Sequence, residues 1–264
     1  MSLINVQNLS CAVGKKILLE NISFSLQAKE FLVIVGRNGA GKSTLLKHLT
    51  GEMTLKEGRI ELFSKDLKDH KTRDLAKRRA VLPQSTQLSF SYKVLEVVLL
   101  GRIPHQSLQK ESDEDYQIAK DCLKRVGLQN YEMRDYLTLS GGEQQRVHLS
   151  RALAQLVPSV ESSSLSDERL LFLDEPTSSL DIAHQHQVLD VVKNLSHQGV
   201  GVLAVLHDLN LAAQYADKVL VLSDGKILAS GSPKDVLTAS VLTDAFRYPV
   251  QVIDHPSENR PLVI

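Results

Sequence analysis

The feature that most constrains this chain is a glycine-rich turn between an apolar run and a helix-favouring segment. Residues 31–35 are all apolar, residues 36–43 form the glycine-rich stretch, and residues 44–49 favour a helix. A buried strand that ends in such a turn and then opens a helix is the setting of a phosphate-binding loop, or P-loop. The sequence therefore predicts a chain that binds a nucleoside triphosphate.

This loop supplies the groups that hold phosphates. Backbone N–H groups close around the β-phosphate, and the helix N-terminus adds partial positive charge. Lys42 reaches the β- and γ-phosphate oxygens, and Ser43 binds Mg²⁺. The predicted nucleotide-binding residues are Gly36, Arg37, Asn38, Gly39, Ala40, Gly41, Lys42, Ser43 and Thr44. The alternative, a plain glycine turn, does not account for the agreement of every fixed position of the motif.

Composition excludes several other classes of protein. The 264 residues carry 31 Lys and Arg against 31 Asp and Glu, so no basic excess indicates nucleic acid or an anionic lipid surface. Cys11 and Cys122 lack CxxC spacing, which predicts neither a disulfide framework nor a zinc site and fits a reducing cytoplasm. The N-terminus lacks the pattern of a signal peptide, and no apolar run approaches the roughly 18 residues of a membrane span.

The distribution of apolar runs predicts an α/β fold. The predicted core strands are 31–35, 80–82, 170–173, 202–206 and 218–222, and the predicted helices between them are 42–50, 142–157, 181–198 and 208–215. Except at 80–82 the runs are unbroken, which is typical of parallel strands covered on both faces in a doubly wound sheet. Residues 2–9, about 17–27 and 59–63 are predicted to form an antiparallel edge sheet.

Between Gln84 and Ser140 the sequence no longer shows the apolar runs of the core strands. Helical periodicity appears at 93–101 and 112–126, without a strand of the buried type, which predicts an inserted helical subdomain. The serine-rich stretch 159–167 is predicted to be a solvated loop.

Two adjacent carboxylates follow the apolar run 170–173. Asp174 is predicted to hold Mg²⁺, and Glu175 to act as the general base on the water that attacks the γ-phosphate. Acidic residues at a strand end also serve as plain helix caps, and Pro176 begins a turn here. Beside a P-loop, catalysis is the better interpretation. Because the carboxyl ends of parallel strands share one edge, a single crevice can hold Gly36, the carboxylate pair and His207.

A third motif surrounds Ser140. Ser140 and Glu143 form the pattern of a capping box at the start of a helix, which explains these two residues by themselves. It does not explain Gly141 and Gly142 in the first turn, because each glycine costs about 1 kcal/mol of helix stability relative to alanine. Bare N–H groups at a positive helix end suit a second contact with phosphate.

Taken together, the P-loop, Gln84, the motif at 139–146, the carboxylate pair, Ser179-Leu180-Asp181 and His207 resemble the ATP-binding subunits of ABC transporters. The resemblance covers nearly the whole chain and implies a P-loop NTPase (RecA-like) core with an antiparallel β subdomain and an inserted helical subdomain. It implies one ABC ATPase domain, 1–264. Within it, 1–84 and 160–230 form the catalytic core, 85–159 the helical subdomain, and 231–264 a C-terminal extension.

The resemblance also implies roles for single residues. Gln84 contacts Mg²⁺ and the attacking water, and His207 hydrogen-bonds the γ-phosphate. Ser140 and Gly142 contact the ATP held by a second copy of the subunit, so hydrolysis requires a dimer, and a two-fold interface closes two sites at once. The plainer alternative for His207 is a histidine at a strand end whose hydrogen bonds are made within the protein. The plainer alternative for Gln84 is an ordinary loop amide. The implied partners are an integral membrane permease dimer and, indirectly, a periplasmic substrate-binding protein, with the subunit on the cytoplasmic face of the inner membrane.

The finer resemblance is to importers of metal chelates. Residues 207–217 resemble the ATP-binding subunits that serve siderophore, cobalamin and haem permeases. Within that set, residues 75–84, residues 151–156 with the variable insert that separates them from 171–177, and the tail beginning at His255 are most similar to the ATP-binding subunits of haem importers. Siderophore and cobalamin importers are the alternative, and a soluble ABC ATPase of DNA repair or translation is a remote one. The family usually has an aromatic residue that stacks on adenine where this chain has Val13, so adenine selectivity is weaker or arises elsewhere.

Two features have competing interpretations. His184 and His186 suggest metal ligands, but their spacing directs them to different helix faces, so a shared metal is not expected. The apolar residues Leu88, Phe90 and Tyr92 are expected to belong to the core, and any exposed part of them is the candidate groove for the permease.

Overall fold

The computed structural model describes residues 2–84, 88–106, 110–158 and 168–264. The strands are β1 (Ser2–Val13), β2 (Lys16–Gln27), β3 (Phe31–Val35), β4 (Glu57–Leu62), β5 (Lys65–Asp66), β6 (Arg79–Leu82), β7 (Leu170–Asp174), β8 (Gly201–Val205), β9 (Lys218–Ser223), β10 (Lys226–Gly231), β11 (Val252–Asp254) and β12 (Pro261–Val263). The helices are α1 (Lys42–Leu49), α2 (Thr72–Ala76), α3 (Val94–Leu99), α4 (Asp113–Arg125), α5 (Gly141–Leu156), α6 (Ile182–His197), α7 (Leu209–Tyr215), α8 (Pro233–Val236) and α9 (Ala239–Phe246). No helix in these described ranges is long and apolar enough to cross a membrane.

Contacts divide the chain into two units. The first unit comprises Met1–Asp69 and Ser196–Ile264, and the second comprises His70–Leu195. The predicted division at 84, 160 and 230 stays a prediction, and the predicted loop at 159–167 lies outside the described residues.

The first unit combines an antiparallel and a parallel arrangement of strands. The antiparallel sheet has the order β2-β1-β4-β5, and the parallel strands have the order β9-β3-β8. Strand β10 pairs antiparallel with β9. Every residue of β3 and of β8 is buried, as the unbroken apolar runs predict. The α/β core and the antiparallel edge sheet are thus confirmed.

Strands β6 and β7 of the second unit pair in parallel, with Leu82 opposite Leu173. Helices α3 and α4 pack against α5, whose buried residues include Val147 and Leu153. The described residues between α3 and α5 contain helices and turns, as the periodicity at 93–101 and 112–126 predicts.

A buried ion pair ties these helices together. Arg102 Nε donates to Asp115 Oδ1 at 2.7 Å, and Arg102 Nη1 donates to the carbonyls of Ala154, at 2.7 Å, and of Val157 near the end of α5. Removing either charged partner would leave the other buried without its counter-charge.

Several element boundaries differ from the sequence prediction. Strand β1 extends to Val13 rather than ending at Leu9. Its pairing register shifts around Asn8, whose φ is 51°, and this bulge interrupts the alternating pattern on which the prediction depended. Strands β10, β11 and β12 and helices α2, α8 and α9 were not predicted. Strand β10 alternates between half-buried and exposed residues, unlike the core strands.

Candidate active site

The P-loop of the first unit has the backbone conformation that its glycines allow. Gly36, Gly39 and Gly41 have φ values of 154°, 80° and 107°, which side-chain-bearing residues rarely adopt. A Cβ on Gly36 would lie 2.2 Å from the carbonyl oxygen of Leu222, and one on Gly41 would lie 2.8 Å from that of Leu18. Both glycines are therefore required by the fold as well as by the turn.

Lys42 directs its ammonium group back into this loop. Nζ donates to the carbonyl oxygens of Gly36, at 2.7 Å, and Arg37, at 3.2 Å. Helix α1 begins here without a hydrogen bond from an N-cap side chain, Gly41 being the N-cap residue. A positive charge, glycine N–H groups and a helix end without a side-chain cap together fit a triphosphate.

His207 follows β8, the strand beside the one that delivers the P-loop. Ile34 of β3 pairs with Val205 of β8, and the N–H of Leu206 donates to the carbonyl of Ile34 at 3.2 Å. Gly36 and His207 thus follow the carboxyl ends of two neighbouring parallel strands. This is the edge at which α/β sheets bind ligands.

The second unit brings Gln84 and Glu175 together. Strands β6 and β7 are neighbours, Asp174 ends β7, and Gln84 lies two residues beyond β6. Gln84 Nε2 donates to Glu175 Oε2 at 2.7 Å. Two residues separated by 91 positions are therefore in direct contact, and the glutamine amide orients the carboxylate that is predicted to be the base.

The backbone of Glu175 adopts a left-handed conformation, with φ of 52°. This region costs a residue with a side chain about 1–2 kcal/mol. Strain of this kind at a carboxylate that ends a buried strand is typical of functional sites. It argues against the simpler interpretation of the pair as ordinary helix caps.

Ser140 forms the predicted capping box at the start of α5. Its Oγ accepts from the N–H of Glu143 at 3.3 Å, and its own N–H donates to Glu143 Oε2 at 2.8 Å. The hydrogen bond from the Ser140 N–H, with smaller contributions from neighbouring groups, holds the pKa of Glu143 below its ordinary value. The box keeps Glu143 ionised and fixes the direction of the helix end.

Gly141 and Gly142 differ in their surroundings. A Cβ on Gly141 would meet nothing within 4 Å, whereas one on Gly142 would lie 3.0 Å from Leu180 Cδ2 and 3.3 Å from the carbonyl oxygen of Ser179. A side chain at position 142 would therefore be crowded by its neighbours within the second unit. A side chain at position 141 would meet no such obstacle.

A cavity of about 290 Å³ lies at this helix end. Its lining includes Gly142, Arg146, Leu180, Asp181 and His184. The N–H of His184 donates to Asp181 Oδ1 at 2.9 Å, and this bond lowers the pKa of Asp181. Sequence reasoning missed that Arg146 and His184 belong to this cavity. An aspartate three residues before a histidine at a helix start was the available signal.

His184 uses its ring to hold Asp181 and not to face His186. Its Nδ1 lies 2.8 Å and 2.9 Å from the two carboxylate oxygens of Asp181. Among the described residues, no group of three or more His, Cys, Asp or Glu side chains could hold a metal ion.

A second cavity, of about 640 Å³, adjoins Val13 in the first unit. Val13 is 61% exposed, and its neighbours in the lining include Ile17, Leu19, Met53 and His48. Val13 thus presents an exposed apolar surface, without an aromatic ring, where the family is expected to stack adenine.

The expectation that residues 88–92 belong to the core is wrong for Phe90. Phe90 is 73% exposed, and Leu88 and Tyr92 are half-buried. Phe90 is therefore the exposed part of this segment and belongs to the candidate groove for the permease.

The predicted site residues thus fall into two groups. The P-loop and His207 belong to the first unit, and Gln84, Ser140, Gly142, Asp174 and Glu175 belong to the second. The predicted Mg²⁺ ligands Ser43, Gln84 and Asp174 all offer oxygen atoms, the donors that Mg²⁺ prefers. That the two groups act on one nucleotide stays a prediction.

Comparison with known proteins gives three consistent results. The family described as ABC transporter matches residues 19–178. The chain is 56% identical over 261 residues to "Hemin import ATP-binding protein HmuV" of Deinococcus radiodurans, covering 99% of this chain and 96% of that protein. It is 44% identical to the protein of the same name from Photobacterium damsela subsp. piscicida, covering 99% and 95%.

Two solved structures of ABC transporter proteins are also similar to this chain. An inward-facing metal-chelate type ABC transporter aligns with a TM-score of 0.82 and 28% identity, covering 100% of this chain and 97% of that one. A dimeric bacterial ABC transporter cassette aligns with a TM-score of 0.73 and 26% identity, covering 87% and 98%.

Proposed function

This chain belongs to the ABC transporter family of ATP-binding proteins, and from that membership we propose that it is the ATP-hydrolysing subunit of an importer whose cargo is haem. The similarity, over nearly the whole chain, to relatives named as hemin import ATP-binding proteins is the observation that carries the cargo assignment. An importer of a ferric siderophore or cobalamin is the second candidate, favoured by the metal-chelate transporter among the solved structures.

We propose that the residues divide the hydrolysis of ATP between them. The P-loop and Lys42 hold the β- and γ-phosphates, and Glu175 accepts the proton of the attacking water while Gln84 fixes its carboxylate at 2.7 Å. His207 donates a hydrogen bond to the γ-phosphate. Ser43, Gln84 and Asp174 would hold Mg²⁺, which when bound neutralises charge on the phosphate oxygens.

We further propose that each site is completed by a second copy of the chain. The capping box uses the N–H groups of Ser140 and Glu143, so those of Gly141 and Gly142 between them are the ones proposed to meet a nucleotide held by the partner, and a Cβ on Gly141 would meet nothing within 4 Å. In that arrangement Ser140 and Gly142 close the triphosphate from the opposite side. ATP binding joins the two copies, and hydrolysis releases them.

The partner membrane protein is proposed to dock on the second unit. Phe90, Ile103, Met133 and Leu137 of this unit are each at least half exposed and offer apolar surface to a permease. We place the subunit on the cytoplasmic face of the inner membrane, bound to a permease dimer that receives haem from a periplasmic substrate-binding protein.

A mixing experiment tests the shared site. Lys42→Ala and Ser140→Arg homodimers are each expected to be inactive, one lacking the phosphate contact and the other carrying a bulky charge in the partner's site. A mixed dimer contains one site built from the intact P-loop of one chain and the intact Ser140 of the other. Equal mixtures should therefore recover part of the parent ATPase rate. A mixture that stays inactive, with mixed dimers demonstrated by tag pull-down, would refute a site shared between two chains.

Two further measurements test the transport role. Pull-down from detergent extracts should recover a polytopic membrane protein, whereas recovery of ribosomes or DNA would favour a soluble ABC ATPase. A deletion strain should lose growth on haem as sole iron source and keep growth on a ferric siderophore. The reverse growth pattern would assign the siderophore.

A further inference from the structure

The last residues of the chain form a hairpin that is attached to α7. Strands β11 and β12 pair antiparallel, with Val252 opposite Val263. His255 Nδ1 accepts from the N–H of Glu258 at 3.1 Å within the turn, and the N–H of Ile264 donates to the carbonyl of Gln251 at 2.9 Å. Hydrogen bonds thus close the hairpin both at its turn and at its open end.

The side chain of Asn210 in α7 is hydrogen-bonded to this hairpin. Asn210 Nδ2 donates to the carbonyl of Val263 at 3.0 Å, and the N–H of Val263 donates to Asn210 Oδ1 at 2.8 Å. The carboxamide therefore pairs with the outer edge of β12 as a neighbouring strand would. No other side chain type of that length offers one donor and one acceptor in this geometry.

Asn210 lies three residues after His207. Asp208, between them, caps α7, because its Oδ1 accepts from the N–H groups of Asn210 at 2.8 Å and Leu211 at 3.0 Å. Helix α7 has seven residues, and a helix this short is marginal without outside contacts. The cap and the hairpin hold its first turn from both sides.

We propose that Asn210 is a positioning residue, and that the C-terminal hairpin, through Asn210, holds His207 in the place where it meets the γ-phosphate. This rests on the role proposed for His207. Val263 is 56 positions beyond His207, so in this proposal the tail of the chain acts on catalysis through α7. Loss of the pairing frees the start of α7 and lets the imidazole leave its position.

The pairing can be broken from either side. Asn210→Ala removes the side-chain partner, and Val263→Pro removes the N–H donor of the hairpin. Val263→Ala is the matched control, since it shortens the same side chain and keeps the backbone donor. Each full-length variant is assayed for steady-state ATP hydrolysis, with thermal unfolding followed in parallel to verify that it folds.

We expect Asn210→Ala and Val263→Pro to lower kcat about 10- to 100-fold, as displacement of a catalytic group by about 1 Å does. The KM for ATP should stay within about twofold, because the P-loop is untouched. Val263→Ala should keep the parent kcat. A parent kcat in both Asn210→Ala and Val263→Pro overturns the proposal.

A double variant separates positioning from general damage. If Asn210 acts through His207, adding Asn210→Ala to His207→Ala should not lower the residual rate further. If Asn210→Ala lowers kcat by the same factor in the parent and in His207→Ala, the proposal is overturned even though Asn210→Ala is impaired. Asn210→Asp, which keeps the acceptor and loses the donor, gives an intermediate rate and replaces Asn210→Ala if that variant does not fold. A parent rate in His207→Ala would instead refute the role proposed for His207, and the inference with it.

Discussion

Replacing Glu175 by Gln tests the proposed catalytic base with the least structural disturbance. The side chain keeps its length and one oxygen, so Gln84 Nε2, now 2.7 Å from Glu175 Oε2, retains an acceptor. The left-handed backbone at residue 175, with φ of 52°, is also unchanged, because both residues carry a similar Cβ and Cγ. Only the negative charge and the ability to accept a proton are lost.

The substitution is expected to raise the barrier to hydrolysis by several times more free energy than it removes from the stability of the fold. A charge-assisted hydrogen bond contributes about 1.5–3 kcal/mol and a neutral one about 0.5–1.5, so at mid-range values the variant loses about 1 kcal/mol. Exposure of Gln84 reduces this further. Loss of a general base costs about 100- to 10,000-fold in kcat, which corresponds to about 3–5 kcal/mol of barrier.

The assay combines three measurements on Glu175→Gln and on Glu111→Gln, an exposed control with the same change in charge. ATP turnover should fall by at least about 100-fold in the first only. ATP affinity should stay near the parent value, and light scattering should detect an ATP-bound dimer that persists. Normal steady-state turnover by Glu175→Gln would remove Glu175 as the base.

Three other substitutions test the helix start at Gly141, the surface at Val13 and the buried ion pair of Arg102. Gly141→Ala, which meets nothing within 4 Å, should raise the free energy of unfolding by up to about 1 kcal/mol, whereas Gly142→Ala crowds Leu180 and should not; equal shifts in denaturant midpoint would contradict this. Val13→Tyr should lower the Kd for ATP about 5- to 150-fold by base stacking, with Val13→Leu as control, and equal affinities in calorimetry would exclude a base at this position. Arg102→Met should destabilise the fold by about 3–5 kcal/mol by leaving Asp115 buried and unpaired, measured by urea unfolding. Burial alone would raise the pKa of Asp115, but the hydrogen bonds from Arg102 and Ser112 outweigh it and lower the pKa, so the contribution of this pair is present above the ordinary Asp pKa and is lost as the pH falls through the lowered value.

Elements with a strong local signal were predictable. The apolar runs predicted β3, β7, β8 and β9, and their burial confirms them. The capping box predicted the start of α5, since Ser140 and Glu143 contact each other three residues apart. Sequence alone did not predict β10 or the C-terminal hairpin, because their short or alternating patterns resemble those of exposed loops.

What the sequence determined by itself was the conformation of segments whose contacts lie within a few residues, such as the P-loop with its glycines and Lys42, and the helix start at Ser140. Only the tertiary structure decided which distant residues meet: Gln84 with Glu175, Leu180 with Gly142, and Asn210 with Val263. The physical reason is that local patterns report the energetics of one segment at a time. Contacts across 38 to 91 positions depend on the order and register in which strands and helices pack together.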